Sequence, residues 1–325
     1  MKLLVFSICK DEAATIGEVL DNIPTHISGI SEIQKVVIDD GSTDDTVEVA
    51  RKHGAKVYSD GIQKRLAVRF REMVDIALSR GVDVLVNIDG DMQFNPGDIP
   101  TLVKPIVENT ADFVAADRFT DGNGNRKRPK NMPTGKYYGN RLGAWIVGKL
   151  SGQKFNDVTC GFRAYSHKAL TVLNTNGEYT YTQESFQVMA MKKMRIVAMP
   201  VKVTYFKGRK SRVVSSIFSY VGSSAISILR SYRDFAPLRF FGWLGFVPFL
   251  IGVASTLGFL AHWAATGSFS PFKFLGFVGI YFLTLAIIVW ALGLVADMLS
   301  RMLNNQEKIL EHTKQIRWPD KEKRS

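Results

Sequence analysis

The residues able to do chemistry stand in two short acidic stretches. Asp39-Asp40-Gly41-Ser42 follows an apolar run over residues 35–38, and Asp89-Gly90-Asp91 follows another over 82–86. Each run reads as a buried parallel strand. Both clusters therefore fall at the carboxyl end of a strand, the edge where open α/β sheets take their ligands. In a strand or tight turn, positions i and i+2 point the same way. Asp89 and Asp91, with only a glycine between them, can turn their oxygens to one hard divalent cation that fills its shell with phosphate oxygens and water. Gln93, two residues on, can add an amide oxygen or a water-mediated contact. A strand-end Asp such as Asp39 also suits the N–H of a nucleobase or the hydroxyls of a ribose. Taken alone, Asp-Gly-Asp reads as a solvated turn sooner than as a site, so the surrounding elements decide.

Those elements alternate. Strands are expected at 2–9, 35–38, 55–59, 83–88 and 113–116, with helices at 13–20, 46–53, 65–79 and 99–108. Asn95-Pro96 supplies an N-cap and first helical position before the last of these. The alternation predicts a doubly wound α/β sheet. If the second and fourth strands flank the first, both acidic clusters face one crevice. No G-x-G-x-x-G follows the first strand, so the usual dinucleotide fold is not supported. Residues 121–136 break the pattern with Gly122, Gly124, Pro129 and Pro133 among Arg126, Lys127, Arg128, Lys130 and Lys136. A loop this long in a compact domain is commonly functional. Helices at 138–150, 168–173 and 183–191 and a late strand at 196–203 complete the domain.

The 325 residues carry a net charge of +12, and two long uncharged runs, 240–261 and 274–296, sit near the end. As helices each would be about 33–35 Å long, enough to cross a hydrocarbon core of about 30 Å. The joiner 262–273 holds one Lys, whereas 209–239 and 301–324 are rich in Lys and Arg. By the positive-inside rule both termini and the N-terminal domain face the cytoplasm, in a multi-pass protein of the cytoplasmic (inner) membrane. Residues 1–8 are too short for a signal peptide and run straight into Lys10-Asp11-Glu12. Val214, Ile217, Phe218, Val221, Ile228 and Leu229 follow helical spacing between basic flanks, the pattern of an amphipathic helix in the bilayer interface. The expected organisation is a domain over 1–212, juxtamembrane helices over 213–239, a hairpin over 240–300 and a basic tail over 301–325. Cys9 and Cys160 lack metal-ligand spacing and fit a reducing compartment. With two spans, the anionic partners expected of this charge are membrane lipids and phosphorylated substrates, not nucleic acid.

Three motifs in order now carry a resemblance. Asp39-Asp40-Gly41-Ser42-x-Asp44-x-Thr46, Asp89-x-Asp91-x-Gln93-x-x-Pro96 and Asp157-x-x-Cys160-Gly161-Phe162-Arg163-Ala164 resemble the signature set of the family 2 inverting glycosyltransferases. The subgroup most similar is the dolichol-phosphate mannose synthase-like enzymes and their bacterial polyprenyl-phosphate relatives with two C-terminal spans. The resemblance implies a GT-A fold, a nucleotide-sugar donor (a UDP- or GDP-hexose), a Mg²⁺ or Mn²⁺ ion and transfer to a polyprenyl phosphate. By position it makes Asp39 the base-binding Asp, with Asp40 and Glu12 beside it on the donor. It makes Asp89, Asp91 and Gln93 the metal and diphosphate group. Arg118 matches the Arg that meets the lipid phosphate, and Arg209, Lys210, Ser211 and Arg212 resemble the segment that closes over the donor diphosphate. Asp91, Arg118 and Arg209 are thus the residues expected to carry catalysis. Lys10 departs from the family's Pro-x-Tyr-Asn-Glu start, and Gly61 stands almost alone where the family has several glycines.

An acceptor phosphate is already anionic, so rate must come from in-line positioning and from stabilising the departing diphosphate. Arg118, Lys136 and Arg141 are the candidates for gripping the acceptor phosphate. Glu184 reads either as a helix-start acid or as a contact to a sugar hydroxyl, and Arg163 either as half of a core ion pair or as a site residue. His53, His167, His262 and His312 show no ligand spacing. Two other readings stand beside the transferase. A polymerising enzyme of the same fold would need a Gln-x-x-Arg-Trp motif, for which Arg317-Trp318 is a poor substitute. A non-catalytic membrane scaffold would leave the acidic clusters as turns. The sequence leaves the sugar and a homo-oligomeric state open.

Overall fold

The computed structural model describes residues 1–175, 181–205, 230, 232–233 and 236–319. Among them, 1–205 with 311–319 form one compact unit and 230–310 another.

The first unit is built on β1 (Lys2–Cys9), an almost unbroken apolar strand. Its side chains alternate between two cores: Leu3 and Val5 go to one face, Leu4 and Phe6 to the other. A strand covered on both faces needs this composition. Around it stand β2 (Glu32–Asp39), β3 (Lys56–Tyr58), β4 (Val84–Asn87), β5 (Phe113–Asp117), β6 (Arg163–Ser166) and β7 (Ile196–Pro200), in the order β3-β2-β1-β4-β6-β5-β7. Helices α1 (Ala13–Asp21), α2 (Thr46–Lys52) and α4 (Ile99–Val107) cover one face. Helices α3 (Leu66–Ser79), α5 (Thr134–Ser151), α6 (His167–Val172) and α7 (Thr182–Met191) cover the other. The second and fourth strands do flank the first, both parallel to it.

Two features differ from the sequence expectation. The sheet is mixed, because β6 runs antiparallel to both β4 and β5. The eleven residues between α5 and β6 explain this; fully extended they reach roughly 36–40 Å, enough to carry the chain back to the carboxyl edge before it enters β6. Helix α5 also begins at Thr134, so Lys136 lies on a helix and not in the loop before it.

Asp40, expected beside Asp39 on the donor, is engaged by the 60–65 loop. Its carboxylate accepts from the backbone N–H of Lys64 (2.7 Å) and Arg65 (3.2 Å) and from Arg69 Nε (3.1 Å). Arg69, itself buried, also pairs with Asp60 and Glu72. This network seats the 60–65 loop against Gly41, where a Cβ would lie 2.9 Å from the Gln63 nitrogen. Arg163 meets no carboxylate among the described residues. It donates to the carbonyls of Cys160 (2.7 Å) and Val158 (3.0 Å), and its guanidinium stacks near Phe186 at 4.8 Å.

In the second unit, helices α8 (Pro237–Thr266) and α9 (Lys273–Arg317) are both long and apolar enough to cross a membrane. Trp243, Leu257, Phe277, Ile280 and Leu294 are exposed on them, as lipid-facing side chains would be. Small residues let the helices close up: a Cβ on Gly252 would lie 2.8 Å from the Leu283 nitrogen. Helix α9 continues through residues 301–317, and its end belongs to the first unit. There Lys314 Nζ donates to Asn174 Oδ1 (2.7 Å), Glu311 pairs with Lys192, and the Trp318 carbonyl lies 3.2 Å from His167 Nε2. Most of the expected amphipathic segment 213–239, namely residues 213–229, 231 and 234–235, lies outside the described residues.

Asp40→Ala strips three hydrogen bonds from the 60–65 loop and one partner from a buried guanidinium. We expect a loss of about 2–4 kcal/mol, because Asp60 and Glu72 remain with Arg69. Urea unfolding of the detergent-solubilised chain measures it, and an unchanged midpoint would contradict this role.

Candidate active site at the carboxyl edge of the sheet

Strand direction decides what meets here. Strands β1, β2, β4 and β5 all end at one edge, and antiparallel β6 starts there. Asp39 is the register partner of Cys9, and Asn87 of Arg163. The edge therefore collects Glu12 after β1, Asp39 on β2, Asp89 and Asp91 after β4, Arg118 after β5 and the 157–161 segment before β6.

The acidic side converges on Cys9. This thiol is pushed well above its ordinary range, first by burial and then by the charges of Glu12, Asp89, Asp39 and Asp91. Close approach of backbone makes the convergence possible. A Cβ on Gly90 would lie 2.4 Å from Glu12 Oε2 and 2.7 Å from Cys9 Sγ, and one on Gly161 would lie 3.1 Å from Asp89 Oδ1. Thr15 on α1 pins the turn by donating to the Gly90 carbonyl at 2.7 Å, and Asn87 Nδ2 holds Gly161 through its carbonyl at 2.7 Å. Met92 takes a left-handed φ of 56°, and Asp91 Oδ1 accepts from Gln93 N at 3.1 Å. Asn95 caps the following 3-10 turn through Gly97 N, as its sequence position predicts.

Asp39 is buried and accepts from Ser42 N (3.0 Å) and Ser59 Oγ (2.6 Å). The rest of its motif is a zipper between two loops. Asp11 N donates to Ser42 Oγ, Glu12 N to Thr46 Oγ1 and Ala13 N to Asp44, at 2.7–3.1 Å. Lys10, out of pattern with the family, reaches Gln63 Oε1 at 2.7 Å.

The cationic side is organised by Asp157, a residue that sequence reasoning left in a motif with no role. Arg118 grips its carboxylate with Nε (2.6 Å) and Nη2 (2.8 Å), and adds Thr159 Oγ1 (2.7 Å) and Tyr205 Oη (3.1 Å). Burial alone would raise the Asp157 carboxyl, but the charge and hydrogen bonds of Arg118 outweigh it and hold it below the usual carboxylate range. Four of the five guanidinium N–H groups are engaged; one on Nη1 has no partner among the described residues. Lys136 stands at the exposed rim, 5.1 Å from the centre of the Tyr205 ring. Its ammonium is held below the usual lysine range by desolvation and then by Arg118, with Asp91, Asp157 and Asp89 pulling the other way. Arg141, farther along α5, has a buried Nη1 with no protein acceptor among the described residues.

Tyr205 arrives because β7 runs parallel to β5 and its continuation bridges β4's turn: Phe94 pairs with Val203, and Thr204 N donates to Gln93 O at 2.9 Å. No local sequence pattern marks it. Glu184 sits in the first turn of α7, the position of a helix-start acid. His167 belongs to structure, with Nδ1 3.1 Å from the Val82 carbonyl. Arg209, Lys210 and Arg212 lie outside the described residues.

The arrangement suits a divalent cation that borrows ligands. Among the described residues, no group of three or more His, Cys, Asp or Glu makes a closed cage. Two carboxylates held at one turn are what Mg²⁺ or Mn²⁺ needs when a substrate's phosphates supply the rest. A second anion fits the Arg118–Lys136 side.

Residues 5–173 match the family described as glycosyl transferase family 2. A glycosyltransferase of Haloferax volcanii, AglJ, is 27% identical over 93% of this chain and 94% of its own length. A UDP-N-acetylglucosamine–dolichyl-phosphate N-acetylglucosaminyltransferase of Methanococcus voltae is 26% identical over 60% of this chain and 82% of its own. An undecaprenyl-phosphate mannosyltransferase of Micrococcus luteus is 26% identical over 66% and 86%. Among solved structures, glucosyl-3-phosphoglycerate synthase of Mycobacterium tuberculosis superposes with a TM-score of 0.53 at 19% identity, over 72% of this chain and 79% of that one. That likeness concerns the fold, which is GT-A.

Because the Asp157 carboxyl is depressed in the folded chain, its contribution to stability is fully present above the unfolded value near 3.9. It is lost as pH falls through the folded value. Asp157→Asn should cost about 3–5 kcal/mol at neutral pH by leaving Arg118 buried and unpaired, and should flatten the acid limb of stability below about pH 4. Thermal unfolding across pH checks both; an unchanged acid limb contradicts the pairing.

Proposed function

The chain belongs to glycosyl transferase family 2, and from that membership we propose that it moves a single hexose, with inversion, from a nucleotide-sugar to a polyprenyl phosphate at the cytoplasmic leaflet. It is a glycosyltransferase with two helices fit to cross a membrane. One observation carries the finer reading: at the carboxyl edge of the sheet Asp39, Asp89 and Asp91 gather near Cys9, and Arg118, paired with Asp157, and Lys136 stand around Tyr205. Such a site accommodates two phosphorylated substrates. The dolichyl- and undecaprenyl-phosphate transferases among its relatives act on acceptors of that class.

Asp39 takes the donor's base, its carboxylate aimed by Ser42 and Ser59. Glu12 lies beside it. Asp40 acts at one remove, by seating the 60–65 loop. Asp89 and Asp91, with Gln93, would hold Mg²⁺ or Mn²⁺, and the ion would supply positive charge to offset the negative charge developing on a departing diphosphate. The second Nη1 N–H of Arg118, which has no partner among the described residues, and the ammonium of Lys136 orient the acceptor phosphate, with Arg141 as a further cation on α5. Asp157 fixes the plane of the Arg118 fork, so that the remaining Nη1 N–H is aimed before the substrate arrives. The acceptor oxygen attacks the anomeric carbon opposite the leaving diphosphate, and one displacement inverts the centre. A phosphate nucleophile is already charged, so no carboxylate has to serve as a base. Arg209, Lys210 and Arg212 are assigned to the departing diphosphate on sequence alone. The positive-inside flanks support cytoplasmic placement of the domain.

Asp91→Ala should abolish glycolipid formation, by at least about 10²-fold as for loss of a charge-stabilising group, with the thermal transition unmoved. Mass analysis of product from a panel of nucleotide-sugars and a short polyprenyl phosphate reads it. Turnover retained within a few-fold would remove Asp91 from the site.

A further inference from the structure

Helix α5 presents two unlike faces. Gly143, Ala144, Val147 and Gly148 are buried, with Ala144 and Val147 in the core shared with α3 and α7. The other face carries Tyr138, Leu142 and Trp145, at 65%, 58% and 60% exposure, with the exposed Lys149 next in line. The spacings of four, three and four residues place all four side chains on one stripe. Large apolar side chains aligned in this way on an otherwise folded domain mark a binding surface.

The surroundings of the stripe are cationic. Between Phe119 and Asn156 the chain carries eight Lys and Arg and one acid, Asp121. Arg126, Arg128, Lys130, Lys136, Lys149 and Lys154 are exposed. Arg128 ties the preceding loop to the helix through the Met132 carbonyl (2.6 Å) and Thr134 Oγ1 (2.8 Å), so that rim is attached to the stripe.

We propose that the Tyr138–Leu142–Trp145 face of α5 is a membrane-contact surface that lies on an anionic bilayer. Tyr and Trp are the residues that favour the headgroup level, where a polar tip and an apolar ring are both accommodated. Lys149 can run its methylenes along the same surface and keep its ammonium among headgroups. Exposed cations around an apolar stripe match a negatively charged leaflet. They argue against a second copy as occupant, since a self-paired face would oppose two cationic rims. The chain's own apolar helices ensure that a bilayer is at hand. The proposal does not depend on the acceptor assigned above, because it concerns bulk lipid.

The test is a depth measurement on the full chain in nanodiscs with no acceptor present. An environment-sensitive fluorophore is placed by Leu142→Cys and, in a second protein, by Lys52→Cys on α2, which covers the opposite face of the sheet. The native Cys9 and Cys160 are buried and stay unlabelled. Brominated lipid in phosphatidylglycerol discs should quench the label at 142 several-fold more than the label at 52, and less in discs of phosphatidylcholine alone. Equal quenching at the two positions overturns the proposal, as does quenching at 142 that is the same in both lipids. Energy transfer between labels at 142 on two copies, in place of lipid quenching, would assign the face to self-association and overturn it as well.

Discussion

The buried pair of Arg118 and Asp157 is the interaction on which the crevice depends. A guanidinium at the end of β5 and a carboxylate six residues past the end of α5 meet with bidentate geometry, and neither is worth burying without the other. Closing the pair sets the path of the chain between Asp157 and Gly161. That path puts Gly161 against the Asp89 carboxylate and lets Arg163 tie down the carbonyls of Val158 and Cys160 from beneath. One ion pair thereby fixes both the Arg118 guanidinium and the backbone that crowds the Asp89 carboxylate.

Charge is sorted across this crevice by topology. Parallel strands from β1, β2 and β4 bring carboxylates to the edge, and the reversed β6 brings a second set of loops to the same edge. Had β6 run parallel, the 157–161 segment would open at the far side of the sheet and Arg118 would lack its partner. The acid-rich half suits a cation shared with a diphosphate, and the basic half suits a second phosphate. Their adjacency makes phosphate-linked group transfer the natural chemistry of the site.

Much of this was legible in the chain. Strand-end acids follow from apolar runs that stop at Asp39 and before Asp89, and the Asn95 cap follows from its pairing with Pro96. The two apolar helices follow from uncharged length alone. What stayed hidden depends on partners far along the chain. The engagement of Asp40 by Arg69 and by the 64–65 backbone is set by how the 60–65 loop folds back. Tyr205 carries no pattern, and it reaches Arg118 only because β7 pairs beside β5. Helix α5 begins ahead of its apolar periodicity because its first turn is exposed and polar, so periodicity gave no signal there. The direction of β6 is likewise invisible in four residues of strand.

The roles proposed for Asp89 and Asp91 require a divalent cation bound jointly with a nucleotide diphosphate. Titration of Mn²⁺ into the purified enzyme, followed by electron paramagnetic resonance with and without UDP or GDP, tests this requirement most directly. Mn²⁺ should bind weakly alone, tighten when one of the diphosphates is present, and lose that tightening in Asp89→Asn and Asp91→Asn. Diphosphate-linked binding that survives both substitutions, or tight binding indifferent to the diphosphate, would contradict it.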